Sequence, residues 1–218
     1  NKAFFSLVFT SSNHTPFEYP DGRIEAYDAE YNTRNNAIKY ADWALGEFFN
    51  KAKTSNYWED TVFLIIADHD ANAHGKSLVP PKSFHIPALI LGKDMVIRKE
   101  AMVRSQLDMP PTLLSLIGID NENPMIGRDL TQTESSAENR ALLQYGENFA
   151  LLEGDKITVL QPGKSAKSFI FNKNTYSLDG EGKEASEADY NRALAISSWG
   201  KLAYIGQLYR LPNVDSLE

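Results

Sequence analysis

Residues 61–70 read Thr-Val-Phe-Leu-Ile-Ile-Ala-Asp-His-Asp (TVFLIIADHD), and this stretch decides the fold class. Seven residues without a charge, rich in β-branched side chains and apolar on both alternating faces, predict a strand over Thr61–Ala67 lying inside a sheet covered by helices. In an open α/β sheet, ligands gather beyond the carboxyl ends of strands. Asp68 and His69 fall at that place. A carboxylate and an imidazole supply one oxygen and one nitrogen donor for a divalent ion, and mixed O/N ligation suits Mn²⁺ or Zn²⁺ better than Ca²⁺. Neighbours in a strand point to opposite faces, so the chain must turn there for both to serve one ion. The same two residues read equally as an Asp capping the next turn beside an exposed His.

Working outward, Phe4–Thr10 (FFSLVFT) predicts a second buried strand, and Ser11–Tyr31 a long polar connection. Loops of that length in a compact domain are functional or carry their own structure. Asn13-His14 follows the first strand as Asp68-His69 follows the second, so one crevice is expected to collect both. Ala37, Tyr40, Ala41, Ala44, Leu45, Phe48 and Phe49 recur at helical spacing and predict a helix over about 33–54, with Asn32 or Thr33 as its cap. Downstream, His85–Gly92 reads as a strand whose ladder begins after Pro87. Asp108 reads as the N-cap of a helix entered through Pro110 and Pro111 and closed by Gly118.

The texture changes near Thr131. After the polar run 131–139 come four short strand candidates, 141–145, 149–153, 156–161 and 168–172, with turns at Gly154-Asp155 and Pro162-Gly163. Glu187–Leu208 reads as a terminal helix with Tyr190, Leu194, Ala195, Trp199, Leu202 and Ile205 on its apolar positions. The expected domains are therefore 1–130, an α/β half-domain, and 131–218, a small antiparallel subdomain with a terminal helix.

Composition narrows the function. The 218 residues carry 29 acids against 22 bases, a formal charge of −7, and no Cys. Binding to nucleic acid is not expected, because that needs clustered Lys and Arg. Disulfides, zinc ribbons and thiol nucleophiles are excluded. No stretch approaches the ~20 apolar residues of a membrane span. The chain runs from Asn1 straight into its first apolar segment, which reads as the continuation of a longer domain; a half-domain would expose an apolar face and favour self-association.

Five segments in order carry a resemblance: SSNHTPF (11–17), NNAIKYADWALGEFF (35–49), TVFLIIADHD (61–70), FHIPALILG (84–92) and QLDMPPTLLSLIGI (106–119), with MIGRDL (125–130) behind them. Together they resemble the sulfatase-like branch of the alkaline phosphatase superfamily, in its lipoteichoic acid synthase-like, phosphoglycerol transferase group. The resemblance implies part of an alkaline phosphatase-like sandwich, a mainly parallel sheet with helices on both faces. It implies Asp68 and His69 as metal ligands, with Mn²⁺ first and Mg²⁺ or Zn²⁺ as alternatives. It implies His14 as a contact to the substrate's phosphoryl group and His85 as a substrate-side or packing residue. His74 is expected at the rim and Arg128 as an ion-pair partner. The substrate implied is a phosphodiester or phospholipid headgroup. The parent implied is anchored in the cell membrane with its catalytic domain outside the cytoplasm (periplasmic or extracellular). The family's Thr nucleophile has no counterpart in this chain, so the chain by itself is expected to be inactive and to need the N-terminal half of its domain. A sulfatase or phosphoethanolamine transferase of the same superfamily, and a non-catalytic binding domain, are the alternatives.

Overall fold

A computed structural model of the chain describes residues 2–70, 77–119, 123–132 and 140–210. His74 and the 133–139 run lie outside the described residues. The chain packs as two compact units, Asn1–Thr61 and Val62–Glu218. The boundary expected at 130/131 falls inside the second unit.

In the first unit, helix α1 spans Arg34–Ala52, and Thr33 caps it by accepting from the Asn36 amide. Ala37 and Ala52 are buried; Tyr40, Ala41 and Ala44 are half-buried. The long polar connection carries structure of its own, and Asn36 organises it. This buried amide accepts through Oδ1 from the backbone N–H groups of Tyr27 and Asp28 at 2.6 and 3.0 Å. It donates through Nδ2 to the carbonyls of Asp28, Glu30 and Tyr31. One side chain thus satisfies five backbone groups of a segment that has no ladder of its own. Tyr19 stacks on Tyr31 at 4.5 Å and on Tyr40 at 5.4 Å between ring centres, which ties the loop to α1.

Phe4–Thr10 departs from expectation. It forms no strand among the described residues, and Phe5, Leu7, Val8 and Phe9 are each more than three-quarters exposed. Apolar alternation creates a face that fits a sheet; pairing also needs a neighbour's N–H and C=O groups, and the first unit offers this segment none.

The second unit begins with β1, Phe63–Ile66, paired antiparallel with β2, Ala88–Leu91. β2 starts after Pro87, as expected. β1 is shorter than the apolar run and half-buried throughout; among the described residues one strand, β2, flanks it. Helix α2 spans Met109–Leu116, and Gly118 follows it at φ +75°, the left-handed conformation that glycine permits. Next come five strands in a meander: β3 Arg140–Tyr145, β4 Asn148–Glu153, β5 Lys156–Leu160, β6 Lys167–Asn172 and β7 Ser177–Glu184. Helix α3, Glu187–Ile205, closes the described chain.

The core lies on one face of this sheet. Leu143, Ala150, Leu152, Ile157, Val159 and Phe171 pack there with Val79, which the 78–84 segment contributes. Alternation sends Leu151 and Thr158, paired in register, to the opposite face, where α3 lies against β4 and β5. The α3 residues buried there are Ala193 and Ala203, whereas the expected apolar positions Tyr190, Leu194, Leu202 and Ile205 are 41–68% exposed. Apolar residues surround this helix on all sides, so spacing alone did not select a face; the small residues let it approach the sheet closely. Strand β7 was not foreseen, because SLDGEGKE reads as polar turn sequence. Its Gly182 answers a packing need: a Cβ there would lie 2.4 Å from the Phe169 ring on β6.

Candidate functional site

Asp68 and His69 follow β1 directly. The ladder's last bond runs from the Ala67 amide to the Pro87 carbonyl, 3.3 Å. The chain then turns sharply enough that the two side chains meet, with His69 Nε2 at 3.5 Å from Asp68 Oδ2. Both are well exposed, at 57% for Asp68 and 74% for His69. The other Asp68 oxygen accepts from the His69 amide at 2.9 Å, so each carboxylate oxygen faces a different group of His69.

The imidazole is oriented by its second nitrogen. Nδ1 lies 2.9 Å from the Asp70 carbonyl. A carbonyl only accepts, so Nδ1 carries the hydrogen, and a neutral ring then turns the Nε2 lone pair toward Asp68 Oδ2. Two electron-rich atoms facing each other call for a proton or a cation. Metal-bound His residues use this construction, holding the far ring nitrogen on a carbonyl or carboxylate. The spacing fits as well: donors bound at ordinary Zn–N and Zn–O lengths in a tetrahedron sit about 3.4 Å apart. The pair therefore fits one edge of a coordination sphere. Among the described residues no cluster of three or more His, Asp or Glu side chains forms, so the pair supplies two donors and no more.

His14 belongs to the first unit and repeats the construction. Its Nδ1 lies 2.9 Å from the carbonyl of Thr15, and its backbone is held in a tight turn by bonds to Ser11 and Phe17. This exposed ring keeps Nε2 accessible. His85 is placed differently. It closes the short turn Pro81–Phe84 ahead of β2, and its ring stacks on Tyr176 at 4.7 Å and 22°. Tyr176 sits between β6 and β7 at φ +53°, a conformation that costs a residue with a Cβ about 1 kcal/mol or more. The small sheet thus backs the His85 ring.

Asp108 departs from the capping role assigned to it. It occupies the N-cap position of α2 but makes no cap bond to that helix. Fully buried, it accepts instead from the Ser105 amide at 2.9 Å, the Arg128 amide at 2.8 Å and Arg128 Nη2 at 2.9 Å. Arg140 stands 3.6 Å away and donates to the Ile126 carbonyl. Burial pushes this carboxyl upward, but the Arg128 and Ser105 donors outweigh it and hold it below the usual carboxylate range. Arg128 is the expected ion-pair partner. Gly127 is required beside it: a Cβ would fall 1.8 Å from the Leu107 carbonyl oxygen. QLDMPPT and MIGRDL therefore form one latch.

A family model described as Sulfatase matches residues 1–119. The lipoteichoic acid synthase-like YvgJ of Bacillus subtilis is 25% identical over 205 residues, covering 85% of this chain and 31% of that protein. Phosphoglycerol transferase I of Salmonella newport is 27% identical over 188 residues, covering 81% of this chain and 24% of that protein. The chain thus spans about a quarter to a third of these relatives. A crystal structure of a protein in the alkaline phosphatase superfamily from Vibrio parahaemolyticus is 50% identical and superposes with a TM-score of 0.87 over 97% of this chain and 52% of that one. With the Asp-His pair at a strand end, an α/β body and a small antiparallel sheet, the chain belongs to the sulfatase family, in the lipoteichoic acid synthase-like branch of the alkaline phosphatase superfamily.

Proposed function

We propose that this chain carries part of the site of a phosphotransferase or phosphohydrolase acting on phosphodiesters of the phosphoglycerol type. Asp68 and His69 hold a divalent ion, Mn²⁺ first and Mg²⁺ or Zn²⁺ next. The observation that carries the reading is the facing of Asp68 Oδ2 and His69 Nε2 at 3.5 Å, with His69 Nδ1 fixed on the Asp70 carbonyl. When bound, the ion supplies positive charge toward the phosphoryl oxygens. His14, its Nδ1 already engaged, offers Nε2 to a phosphoryl group as a donor or acceptor. His85, backed by Tyr176, serves the substrate side. The nucleophile and the remaining ligands come from residues outside these 218. The parent protein is anchored in the cell membrane with this domain on its outer side; among the described residues no helix is long and apolar enough to cross a membrane.

Calorimetry with Mn²⁺ on the wild type, Asp68→Ala and His69→Ala tests the pair. Weak binding in the wild type and loss in both variants is expected; identical affinity in all three refutes it. The purified chain is expected to show no turnover, and metal-dependent hydrolysis of a phosphodiester by it would overturn the assignment of the nucleophile elsewhere. A sulfate-ester substrate is the second reading, favoured by the Sulfatase family model. Shifts of the His14 resonances on titration with glycerol phosphate against sulfate separate the two.

A further inference from the structure

We propose that Gln106 is a positioning residue for the Asp68–His69 pair, acting through the carbonyl of Ala67; the inference rests on the metal-binding reading above. Gln106 Nε2 donates to the Ala67 carbonyl at 3.0 Å, across 39 residues of sequence. Ala67 is the last residue before the pair, and its amide is already held by the Pro87 carbonyl. Its backbone is thereby pinned on both sides at the point where the chain must leave strand geometry. The Ala67 carbonyl and the Asp68 amide share one rigid peptide plane. A bond that fixes the carbonyl therefore fixes the direction in which Asp68 departs, and with it whether Asp68 and His69 converge or diverge as strand neighbours do.

Gln106 can serve as a fixed post because its own turn is anchored. The short turn Gln106–Asp108 is held at both ends by a reciprocal Ser105–Asp108 capping box. Asp108 is locked in turn by Arg128. Two sequence segments, QLDMPPT and MIGRDL, whose carboxylates Asp108 and Asp129 are engaged within the protein, thus act as the brace of the segment that carries the pair.

The test uses the 218-residue chain with Gln106→Met, which keeps length and loses the donor, and Gln106→Ala, which loses the donor without apolar bulk. Two quantities are read: Mn²⁺ affinity by calorimetry, and the His69 tautomer by nitrogen-detected NMR of the metal-free chain. Both variants are expected to unfold in urea like the wild type. Both should bind Mn²⁺ roughly 10-fold more weakly, the low end for residues that orient a metal ligand, and show a mixed His69 tautomer where the wild type shows the Nδ1–H form. If Asp68→Ala abolishes binding while both Gln106 variants keep wild-type affinity and tautomer, the positioning role falls and the metal reading stands. If Asp68→Ala binds Mn²⁺ like the wild type, the metal reading falls, and the tautomer alone decides for Gln106. Disagreement between the Met and Ala variants assigns the effect to packing and overturns the inference.

Discussion

Replacing Asp108 with Ala removes a fully buried acceptor from its cluster of donors. Three donors lose this acceptor: the amides of Ser105 and Arg128 and the Arg128 guanidinium. Arg140, 3.6 Å from the same carboxylate, loses its counter-charge. Hydrogen bonds to a charged group are worth about 1.5–3 kcal/mol each, and desolvating the carboxylate offsets part of the sum. Breaking a buried ion pair from one side nets about 3–5 kcal/mol. For a chain of this length each 1 kcal/mol moves the melting point by about 2–4 °C, so a loss of roughly 6–20 °C is expected. The pH dependence has a fixed sign. The folded-state pKa of Asp108 is depressed, so its contribution is whole above the unfolded value of about 3.9 and is lost as pH falls through the folded value. Urea unfolding of wild type and Asp108→Ala, followed from pH 7 into acid, should show a wide gap that narrows below about pH 4. A gap under about 0.5 kcal/mol at pH 7, the range of an ordinary surface substitution, would refute the latch; so would a gap that widens in acid.

The same reasoning extends to three other positions. Asn36→Leu leaves five backbone groups of the 27–31 loop without their partner; a cost of about 2–4 kcal/mol is expected, with the Tyr27 and Asp28 amides exchanging much faster, and unchanged exchange would show that the loop is held by something else. Gly127→Ala drives a methyl to 1.8 Å from the Leu107 carbonyl oxygen; since the obstacle is backbone, it should cost more than Gly182→Ala, whose obstacle is the Phe169 side chain, at the upper end of about 1–3 kcal/mol, and equal urea midpoints for the two variants would contradict the close approach.

Much of the architecture was legible because it rests on short-range periodicity. α1 ends within two residues of its expected bounds, β2 starts where Pro87 releases the ladder, and β3 to β6 each lie within about one residue of the apolar runs that announced them. The placement of Asp68 and His69 just past β1 was legible for the same reason, since an apolar run that stops at a carboxylate and an imidazole marks a strand's end. Three features were not. β7 carries glycines and charges that read as turn until the Phe169 ring over Gly182 explains them. α3 is apolar on every side, so its buried face is chosen by fit to the sheet. Phe4–Thr10 has a strand's pattern but pairs with no strand among the described residues.

Sequence alone determined most of the elements, the family and the residue types at the end of β1, because each depends on residues a few positions apart. The tertiary structure decided how those donors are aimed. Asp108 became a buried acceptor for Arg128, 20 residues away, and Gln106 reached Ala67 across 39. Contacts at such separations leave no periodic trace in the chain, and they exist only once packing has excluded water from Asp108 and brought the two turns side by side.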